Sequence, residues 1–355
     1  MKKHNFSAGP AILPQEVIQG AAEAVLELDD IGLSLIEISH RSNEFKAIME
    51  EACDLALQIL GLEGKGYKAM YLQGGASMQF LMTAYNMLES KAGYVNSGTW
   101  STKAIKEAKF LGDVIELASS KDKNFNYIPK GYDIPNDLDY LHITSNNTIF
   151  GTQYKNLPET SVPLVADMSS DIFSRPLDYS KFDLFYAGAQ KNMGPSGVTL
   201  VIIKETTFNK VTRSIPSMLN YEIQASAGSM FNTPPVFPVY TVLLNLRWIL
   251  KNGGLSGMGI QNEKKAAMIY DEIDRNPLFE GFANLDDRSA MNATFNLIDD
   301  SSAAIFDTIW NNAKISGLKG HRSVGGYRAS IYNALSVESI QTLVDCMKEF
   351  ERTFN

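Results

Sequence analysis

Apolar and polar positions follow two different periods along the chain. Residues 14–29 and 43–60 carry apolar side chains at three- and four-residue intervals, which predicts amphipathic helices. Residues 67–72 and 184–187 are short apolar runs bounded by small or polar residues, which is typical of buried strands. Further strands are predicted at 92–98, 114–117, 140–144, 162–166 and 198–203, and further helices at 78–88 and 99–108. Strands that alternate with helices in this way predict an α/β fold with a mostly parallel sheet.

The last third of the chain has a different pattern. Residues 221–239 are polar and rich in proline, which predicts an ordered loop before a helix over 239–250. The remaining predicted elements are a helix over 260–276, strands over 291–297 and 327–331, and helices over 303–314 and 337–350. We therefore predict a large domain over residues 1–258 and a smaller α+β domain over 259–355. The N-terminal segment 1–15 is a candidate to pack against the smaller domain.

Composition and charge argue against some classes of protein. The chain has 355 residues, of which 45% are hydrophobic and 20% charged, as is usual for a soluble globular protein. Its net charge of −8 argues against a general nucleic-acid-binding protein, which normally carries a basic surface. No apolar run approaches the length that spans a membrane. We therefore expect neither nucleic acid nor a membrane among its partners.

Cysteine, histidine and the N-terminal residues bear on the compartment and on metal binding. Cys53 and Cys346 alone make neither a disulfide framework nor a zinc site, which favours a reducing compartment. The opening MKKHNFSAGP lacks the apolar stretch of a signal peptide. The 4 histidines show no metal-ligand spacing, so a metal centre is not expected. These features together predict a cytoplasmic protein without a bound metal.

A single lysine stands in the most distinctive stretch of the chain. Lys191 lies between the predicted strands 184–187 and 198–203, within Ala-Gly-Ala-Gln-Lys-Asn-Met-Gly-Pro-Ser-Gly. Small residues let the backbone turn tightly and approach a ligand closely. An amine partly removed from water is more easily neutral, and a neutral amine is the nucleophile that forms a Schiff base with an aldehyde. The alternative is an ordinary surface lysine in a loop, which would be favoured for a lysine without further context.

Other residues with binding chemistry follow predicted strands. Asp167 is either the N-cap of a helix or a buried anion that holds a pyridine nitrogen protonated. Ser77 follows a Gly-Gly turn before a helix, which is an anion-binding arrangement, although most such turns are only turns. Trp100 is either core or a plate stacked on a planar cofactor, and Thr148 either forms a turn or donates to a cofactor oxygen. Because ligands bind at the carboxyl ends of parallel strands, we expect these side chains to converge.

The order of these residues along the chain resembles that of a known family. From end to end the sequence is similar to the fold-type I pyridoxal-phosphate enzymes, and among their class V members to the phosphoserine aminotransferases. The most specific motifs are Ala-Gly-Ala-Gln-Lys-Asn at 187–192 and His-Arg-Ser-Val-Gly-Gly-Tyr-Arg-Ala-Ser at 321–330. Further landmarks lie at 5–10, 39–45, 73–77, 166–170 and 230–235. The resemblance implies an α/β large domain with a mostly parallel seven-stranded sheet and a smaller α+β C-terminal domain.

The resemblance also implies roles around pyridoxal 5'-phosphate. Lys191 would form the Schiff base with the cofactor and then move the substrate proton, while Asp167 would pair with the pyridine nitrogen. Trp100 would stack on the ring, and Thr148 would contact its phenolic oxygen. The residues implied in binding the cofactor phosphate are Ala76, Ser77 and Gln190, together with Asn232 and Thr233 from a second subunit. A homodimer with shared sites is therefore expected.

The substrates implied by the resemblance need two anion sites. L-Glutamate brings two carboxylates, whereas 3-phosphohydroxypyruvate brings a carboxylate and a phosphate. Arginine can donate two parallel hydrogen bonds to a carboxylate. The resemblance implies that Arg328 binds the carboxylate that both substrates share. The residues implied for the second anion are His40 with Arg41 and His321 with Arg322, one pair from each subunit. Taken alone, either His-Arg pair would be interpreted as solvated surface.

One position departs from part of the family. Some members carry an arginine where this chain has Ser77, so one cation fewer is expected near the substrate phosphate. Other members share the small residue, and the assignment to the family does not depend on it.

The implied reaction is a transamination. It converts 3-phosphohydroxypyruvate and L-glutamate to O-phospho-L-serine and 2-oxoglutarate, a step of serine biosynthesis. Many bacterial members also act on 4-phosphohydroxy-L-threonine in pyridoxine biosynthesis, an activity that the sequence leaves open. Two alternatives to the main hypothesis remain: another fold-type I enzyme such as an alanine–glyoxylate-type aminotransferase, and a non-catalytic anion-binding protein that uses the Gly-Gly turn.

Overall fold

The structure, a computed structural model, describes residues 3–354 as helices and strands in alternation. The helices are α1 (Gln15–Leu26), α2 (Asn43–Ile59), α3 (Gly75–Met87), α4 (Thr99–Ala108), α5 (Tyr221–Ser226), α6 (Val236–Lys251), α7 (Gly254–Arg275), α8 (Ala303–Asn312) and α9 (Val337–Arg352). The strands are β1 (His4–Asn5), β2 (Tyr67–Leu72), β3 (Lys91–Asn96), β4 (Asp113–Ser119), β5 (Leu141–Thr144), β6 (Asn146–Asn147), β7 (Thr152–Gln153), β8 (Leu164–Asp167), β9 (Leu184–Gly188), β10 (Thr199–Lys204), β11 (Phe279–Gly281), β12 (Asn292–Leu297), β13 (Ile315–Ser316) and β14 (Tyr327–Ser330). Within this described range, no helix is both long enough and apolar enough to cross a membrane.

A seven-stranded sheet in the order β2-β10-β9-β8-β5-β3-β4 forms the centre of the first two thirds of the chain. Parallel pairs join β4 to β3, β3 to β5, β5 to β8 and β8 to β9. Strand β10 runs antiparallel to both β9 and β2, so every strand of the sheet except β10 points the same way. The prediction of a mostly parallel seven-stranded sheet is confirmed. Its carboxyl edge collects the ends of strands that are far apart in sequence.

Helices cover both faces of this sheet because its strands are apolar on both sides. On β9, Phe185 and Ala187 pack with α2 and α6, whereas Leu184 and Tyr186 pack with α3 and α4. Successive side chains of a strand point to opposite faces, so a strand covered on both sides is apolar at every position. This explains why the run at 184–187 shows no alternation with polar residues.

The C-terminal part has its own core. An antiparallel sheet in the order β11-β12-β14 packs with α7, α8 and α9. The N-terminal segment joins it, because β1 pairs with β13 and Phe6 is fully buried in the same core. The predicted boundary at 258/259 falls inside α7, whose Met258 packs in the first core and whose Ile269 packs in the second. The division into two domains at that point stays a prediction.

Several element boundaries differ from the prediction for local reasons. Residues 221–226 form helix α5 rather than loop, because the Asn220 side chain caps it by accepting from the Ile223 N–H at 3.1 Å. Helices α3, α6 and α7 begin three to six residues earlier than the apolar pattern indicates: α3 and α7 start at a glycine, and the first turn of α6 contains Pro238. The hairpin of β6 and β7 was not predicted, because its asparagine, threonine and glutamine residues are polar although they are buried.

We predict that Phe6→Ala lowers the free energy of unfolding by about 3–5 kcal/mol, since it leaves a cavity in the C-terminal core. Urea unfolding followed by circular dichroism measures the change. Phe110→Ala is the control: Phe110 is 73% exposed, and loss of an exposed side chain changes stability by less than about 0.5 kcal/mol. Equal effects of the two substitutions would contradict the placement of the N-terminal segment.

Candidate active site

A cavity of about 310 Å³ opens at the carboxyl edge of the large sheet. Strands β2, β3, β5, β8 and β9 end around it, and the segment that follows each strand supplies part of the wall. The predicted site residues that line it are Ala76, Ser77, Trp100, Thr148, Asp167, Gln190, Lys191, His321 and Arg328. The parallel direction of the strands therefore brings together side chains from positions 76 to 191, and the C-terminal part adds the last two.

The other predicted site residues do not line this cavity. Asn232 donates to Gln73 Oε1 at 3.2 Å, and the Gln73 amide donates to the Thr233 carbonyl at 2.8 Å, so this pair lies beside the glycine turn. His40 and Arg41 lie in the turn between α1 and α2, and the exposed Arg322 follows His321. The sequence prediction assigns Asn232, Thr233 and one His-Arg pair to the site of a second subunit. The structure is of one chain, so the assignment of these residues to a second subunit's site stays a prediction.

The cavity wall that follows β2 is a backbone anion site. Gly74 and Gly75 have φ angles of +94° and +67°, and a Cβ on Gly74 would lie 2.6 Å from Met78 Cβ. Glycine is therefore required for this turn. The first helical hydrogen bond of α3 runs from the Met78 N–H to the Gly74 carbonyl at 3.4 Å, and within residues 3–354 the N–H groups of Ala76 and Ser77 have no acceptor. Free N–H groups at the positive end of a helix favour an anion.

Asp167 presents one carboxylate oxygen that has no partner within the described chain. The side chain is 5% exposed. Its Oδ1 accepts from the Ser169 N–H at 2.9 Å and from the Ser169 hydroxyl at 2.6 Å, whereas Oδ2 accepts no hydrogen bond from residues 3–354. Ser169 Oγ in turn accepts from the Gly188 N–H at 3.2 Å, which ties the end of β8 to the end of β9. Asp167 lines the cavity with an oxygen that is free to accept, so Oδ2 suits a protonated nitrogen of a ligand.

Lys191 lies in the turn after β9 with its amine in the cavity. Its Nζ lies 5.4 Å from the centroid of the Trp100 ring, and it forms no hydrogen bond or ion pair within residues 3–354. Burial lowers the pKa of Lys191 below that of a free lysine; the charges of Asp167 and Asp171 oppose this shift, and the charge of Arg328 adds to it. A lowered pKa raises the share of neutral amine at a given pH, as a nucleophile or a base requires.

Trp100, Thr148 and Arg328 are linked by hydrogen bonds. Trp100 Nε1 donates to Thr148 Oγ1 at 3.1 Å, so the Thr148 O–H remains available as a donor. Arg328 Nη1 donates to the Thr148 carbonyl at 3.2 Å, whereas its buried Nε has no acceptor within the described residues. Burial lowers the pKa of Arg328 below its usual value, and Tyr332 partly offsets this. A desolvated guanidinium with unused donors is suited to a carboxylate.

His321 marks a positively charged end of the cavity. Burial lowers the pKa of His321, and the charges of Arg328, Arg322 and Lys103 lower it further. Its Nδ1 lies 2.6 Å from Ser323 Oγ. Three cationic side chains therefore act on this end of the cavity, which favours an anionic ligand there.

Some cavity residues had no role in the sequence prediction. Ser169 stands two residues after Asp167, a spacing at which serine often bonds an aspartate locally, and that pattern could have identified it. Phe80 lines the cavity from α3 but has the spacing of an ordinary core residue. Ala8 and Gly9 reach the cavity because the Ala11 N–H donates to the Gln190 carbonyl at 2.9 Å. The other unassigned lining residues are Gly75 and Ile149.

Other parts of the described chain are weaker candidates for the chemistry. A cavity of about 500 Å³ is lined by Tyr132, Tyr154, Lys155 and Asp287 among others, and contains none of the predicted site residues. Within residues 3–354 no group of three or more histidine, cysteine, aspartate or glutamate side chains is arranged to hold a metal ion. Volume therefore does not identify the site, whereas the convergence of unpaired polar groups does.

Comparison with known proteins identifies the family. A sequence profile described as aminotransferase class-V matches residues 3–343. The phosphoserine aminotransferase of Flavobacterium johnsoniae is 61% identical over 353 residues, with 99% of each chain covered. The solved phosphoserine aminotransferase from Bacillus circulans subsp. alkalophilus is 45% identical, with a TM-score of 0.96 over 100% of this chain and 99% of that one. The PLP-bound enzyme from Trichomonas vaginalis is 33% identical, with a TM-score of 0.92 over 98% and 100%.

The chain therefore belongs to the class-V aminotransferase family and, within it, to the phosphoserine aminotransferases. The predicted fold-type I architecture and the prediction of a pyridoxal-phosphate-dependent aminotransferase are confirmed. An alanine–glyoxylate aminotransferase from Nostoc has a TM-score of 0.78 but only 15% identity, over 99% of this chain and 95% of that one. That similarity shows the shared fold alone, and phosphoserine aminotransferase is supported over the alanine–glyoxylate alternative. A non-catalytic anion-binding protein is not supported.

We predict that Asp167→Asn lowers the pKa of Lys191, since it removes a nearby negative charge, and that Arg328→Gln raises it by removing a positive one. Competitive acetylation of the cofactor-free protein across a range of pH, read at Lys191 by mass spectrometry, measures both shifts. The exposed Lys121 is an internal reference for labelling. Shifts in the same direction, or none, would contradict this account of the electrostatics of the site.

Proposed function

We propose that this protein binds pyridoxal phosphate in the cavity and transfers the amino group of L-glutamate to 3-phosphohydroxypyruvate, forming O-phospho-L-serine and 2-oxoglutarate in serine biosynthesis. The observation that carries the proposal is the convergence of Lys191, Asp167 and Arg328 on one cavity. A phosphoserine aminotransferase needs an amine, a ring-nitrogen partner and a carboxylate-binding cation at one place. Action on 4-phosphohydroxy-L-threonine is a second substrate to test in the same assay.

The unpaired groups of the cavity match the groups of pyridoxal phosphate. The free N–H groups of Ala76 and Ser77 suit its phosphate. The free Asp167 Oδ2 suits its ring nitrogen, and the indole of Trp100 forms a flat wall for its ring. Lys191 supplies an amine for its aldehyde. The donor set therefore fits this cofactor.

When bound, pyridoxal phosphate supplies an aldehyde for amino groups and a protonated ring that accepts electron density from the substrate Cα. Asp167 would keep the ring nitrogen protonated, because its Oδ2 is free to accept that N–H while its Oδ1 is held by Ser169. Thr148 would donate its free O–H to the phenolic oxygen, since its Oγ1 already accepts from Trp100. Gln190 would join the groups that hold the phosphate.

Lys191 moves the proton in the reaction. As a neutral amine it would take the proton from the substrate Cα, and as the resulting ammonium it would deliver that proton to the aldehyde carbon of the cofactor. Burial lowers the pKa of Lys191 and so favours the neutral form, and the charge of Asp167 opposes this shift. The amine forms no hydrogen bond within residues 3–354, which leaves it free to change partners during the reaction.

Two sets of cations bind the substrate. Arg328 binds the carboxylate next to the reacting carbon, which L-glutamate and 3-phosphohydroxypyruvate share. His321 and Arg322, with His40 and Arg41 of the partner subunit, bind the second anion, which is either the side-chain carboxylate or the phosphate. The positive charges of Arg328, Arg322 and Lys103, which lower the pKa of His321, support the assignment of an anion to this end of the cavity. With a neutral Ser77 nearby, recognition of the phosphate depends on these two pairs.

The proposal includes a homodimer in the cytoplasm. Asn232 and Thr233 lie beside the glycine turn yet outside their own cavity, and we assign them to the cofactor phosphate of the partner subunit. The exposed turn that carries His40 and Arg41 is assigned to the partner's substrate in the same way. Cys53 and Cys346 are free thiols, which agrees with a reducing compartment.

We predict that the purified protein loaded with pyridoxal phosphate has a visible absorption band that L-glutamate removes and 3-phosphohydroxypyruvate restores. Lys191→Ala lowers turnover by roughly 10³-fold or more, because it removes the proton-moving amine. Lys121→Ala, which changes an exposed lysine, leaves turnover unchanged. Preferential restoration by an unphosphorylated keto acid such as glyoxylate would overturn the substrate, and failure to bind the cofactor would overturn the whole proposal.

Mixed dimers test the sharing of sites between subunits. Lys191→Ala and Arg41→Ala chains, each inactive as a homodimer, are co-expressed with different tags. Random pairing makes half the dimers hybrid, each with one intact site, so we expect roughly a quarter of wild-type activity to return. The purified hybrid, assayed alongside both parent homodimers, should have roughly half of the wild-type activity. Absence of any recovery would place Arg41 in the site of its own chain, and an active Arg41→Ala homodimer would place it outside the site.

A further inference from the structure

Three buried asparagines join the chain segments that carry the principal site residues. Asn192 directly follows Lys191, Asn333 follows the strand of Arg328, and Asn262 lies on α7 between them. Their exposed fractions are 4%, 4% and 2%. We call Asn192, Asn262 and Asn333 the asparagine junction.

The hydrogen bonds of the asparagine junction connect separate parts of the fold. The Asn333 N–H donates to Asn192 Oδ1 at 3.0 Å, and Asn262 Nδ2 donates to Asn333 Oδ1 at 2.8 Å. All three side-chain amides also donate to carbonyls of residues 172–174, in the segment that follows Asp167, at 2.6, 2.9 and 2.9 Å. The junction therefore ties the loop of Lys191 and the loop after Arg328 to one another and to the segment after Asp167.

A buried lysine holds the loop before Asn333 in place. Lys265 is 1% exposed, and its Nζ donates to the carbonyls of Ile331 at 3.0 Å and Tyr332 at 2.7 Å. A buried ammonium without such acceptors would be strongly destabilising, so the loop and the lysine stabilise each other. Lys265 lies on α7, as does Asn262, so one helix supports the junction from two positions.

We propose that the asparagine junction is a positioning device that sets the distance and orientation of Lys191 Nζ relative to the Arg328 guanidinium. The inference rests on the proposed function, in which Arg328 binds the α-carboxylate and Lys191 reaches the adjacent Cα. The carboxylate carbon and Cα of the substrate are directly bonded. The distance between the Lys191 amine and the Arg328 guanidinium must therefore stay matched to these two neighbouring atoms. The two partners belong to segments associated with different cores, and the direct contact of Asn333 with Asn192 joins those segments.

Asn192→Ala tests the proposal, because it removes the acceptor for Asn333 and the donor to residue 172. We expect kcat/KM for O-phospho-L-serine to fall roughly 30- to 100-fold, since misplacement by about 1 Å costs about that much. Asn276→Ala is the matched control. Asn276 is 1% exposed, and its side chain bonds Glu272, Met347 and Leu278 at 3.0, 3.2 and 3.1 Å, away from the site. It should lose comparable thermal stability and keep its kcat/KM.

A double-mutant cycle with Arg328→Lys separates positioning from general stability. If the junction acts through Arg328, Asn192→Ala costs roughly threefold or less in the Arg328→Lys background, because coupled residues are not additive. The dissociation constant of 2-oxoglutarate, measured by calorimetry, should rise in each single variant and show the same coupling. Equal kinetic losses in Asn192→Ala and Asn276→Ala, or an undiminished effect of Asn192→Ala beside Arg328→Lys, would overturn the proposal.

A second variant covers the case in which Asn192→Ala does not fold. Asn262→Ala leaves both hydrogen bonds of the Asn192 side chain and removes one support of Asn333, so a loss of roughly 3- to 10-fold is expected, with the same dependence on Arg328. Full activity of this variant, or additivity with Arg328→Lys, would overturn the proposal. A wild-type protein without transamination activity would contradict the proposed function rather than the role of the junction. If the wild type is active and Arg328→Lys impairs it, the asparagine variants test the junction alone.

Discussion

The common direction of the strands in the large sheet is the constraint on which the site depends. All strands except β10 end at one edge, so segments separated by many residues in sequence become neighbours there. A turn after β2 supplies free N–H groups, the end of β8 supplies a carboxylate, and the turn after β9 supplies an amine. The carboxyl edge of the sheet would exist without these side chains, because the direction of the strands forms it. The chemistry comes from the residues at and just beyond the end of each strand.

The candidate site is formed by polar groups that the rest of the fold does not satisfy. Within residues 3–354, the Asp167 Oδ2, the Lys191 amine and the Arg328 Nε have no hydrogen-bond partner. These groups line one cavity and differ in charge and hydrogen-bonding character, which indicates a ligand with several polar groups. Burial lowers the pKa of Lys191 while the charges of Asp167 and Asp171 oppose the shift, so the surroundings favour the neutral amine more than water does.

The site also depends on the contact between two cores. The first core carries the sheet and Lys191, whereas the second carries β14 with Arg328 and draws in the N-terminal Phe6. Helix α7 runs through both, and the asparagine junction lies where they meet. Close packing leaves little freedom at such a contact, so a small displacement there changes the geometry of the site.

The sequence by itself determined most of the secondary structure and the turn that carries Lys191. The apolar periods predict the sheet and most helices, and the small residues around Lys191 predict a tight turn with an unusual amine, because both properties depend on neighbours in sequence. Helix α5 and the polar hairpin of β6 and β7 escaped prediction because their stability comes from a cap and from buried polar contacts. The tertiary structure alone decided that Ala8 and Gly9 lie against the cavity, and that Arg328, which comes from the second core, lines the same cavity as Lys191. Those contacts join residues far apart in the chain, and no local pattern encodes which distant surfaces pack together.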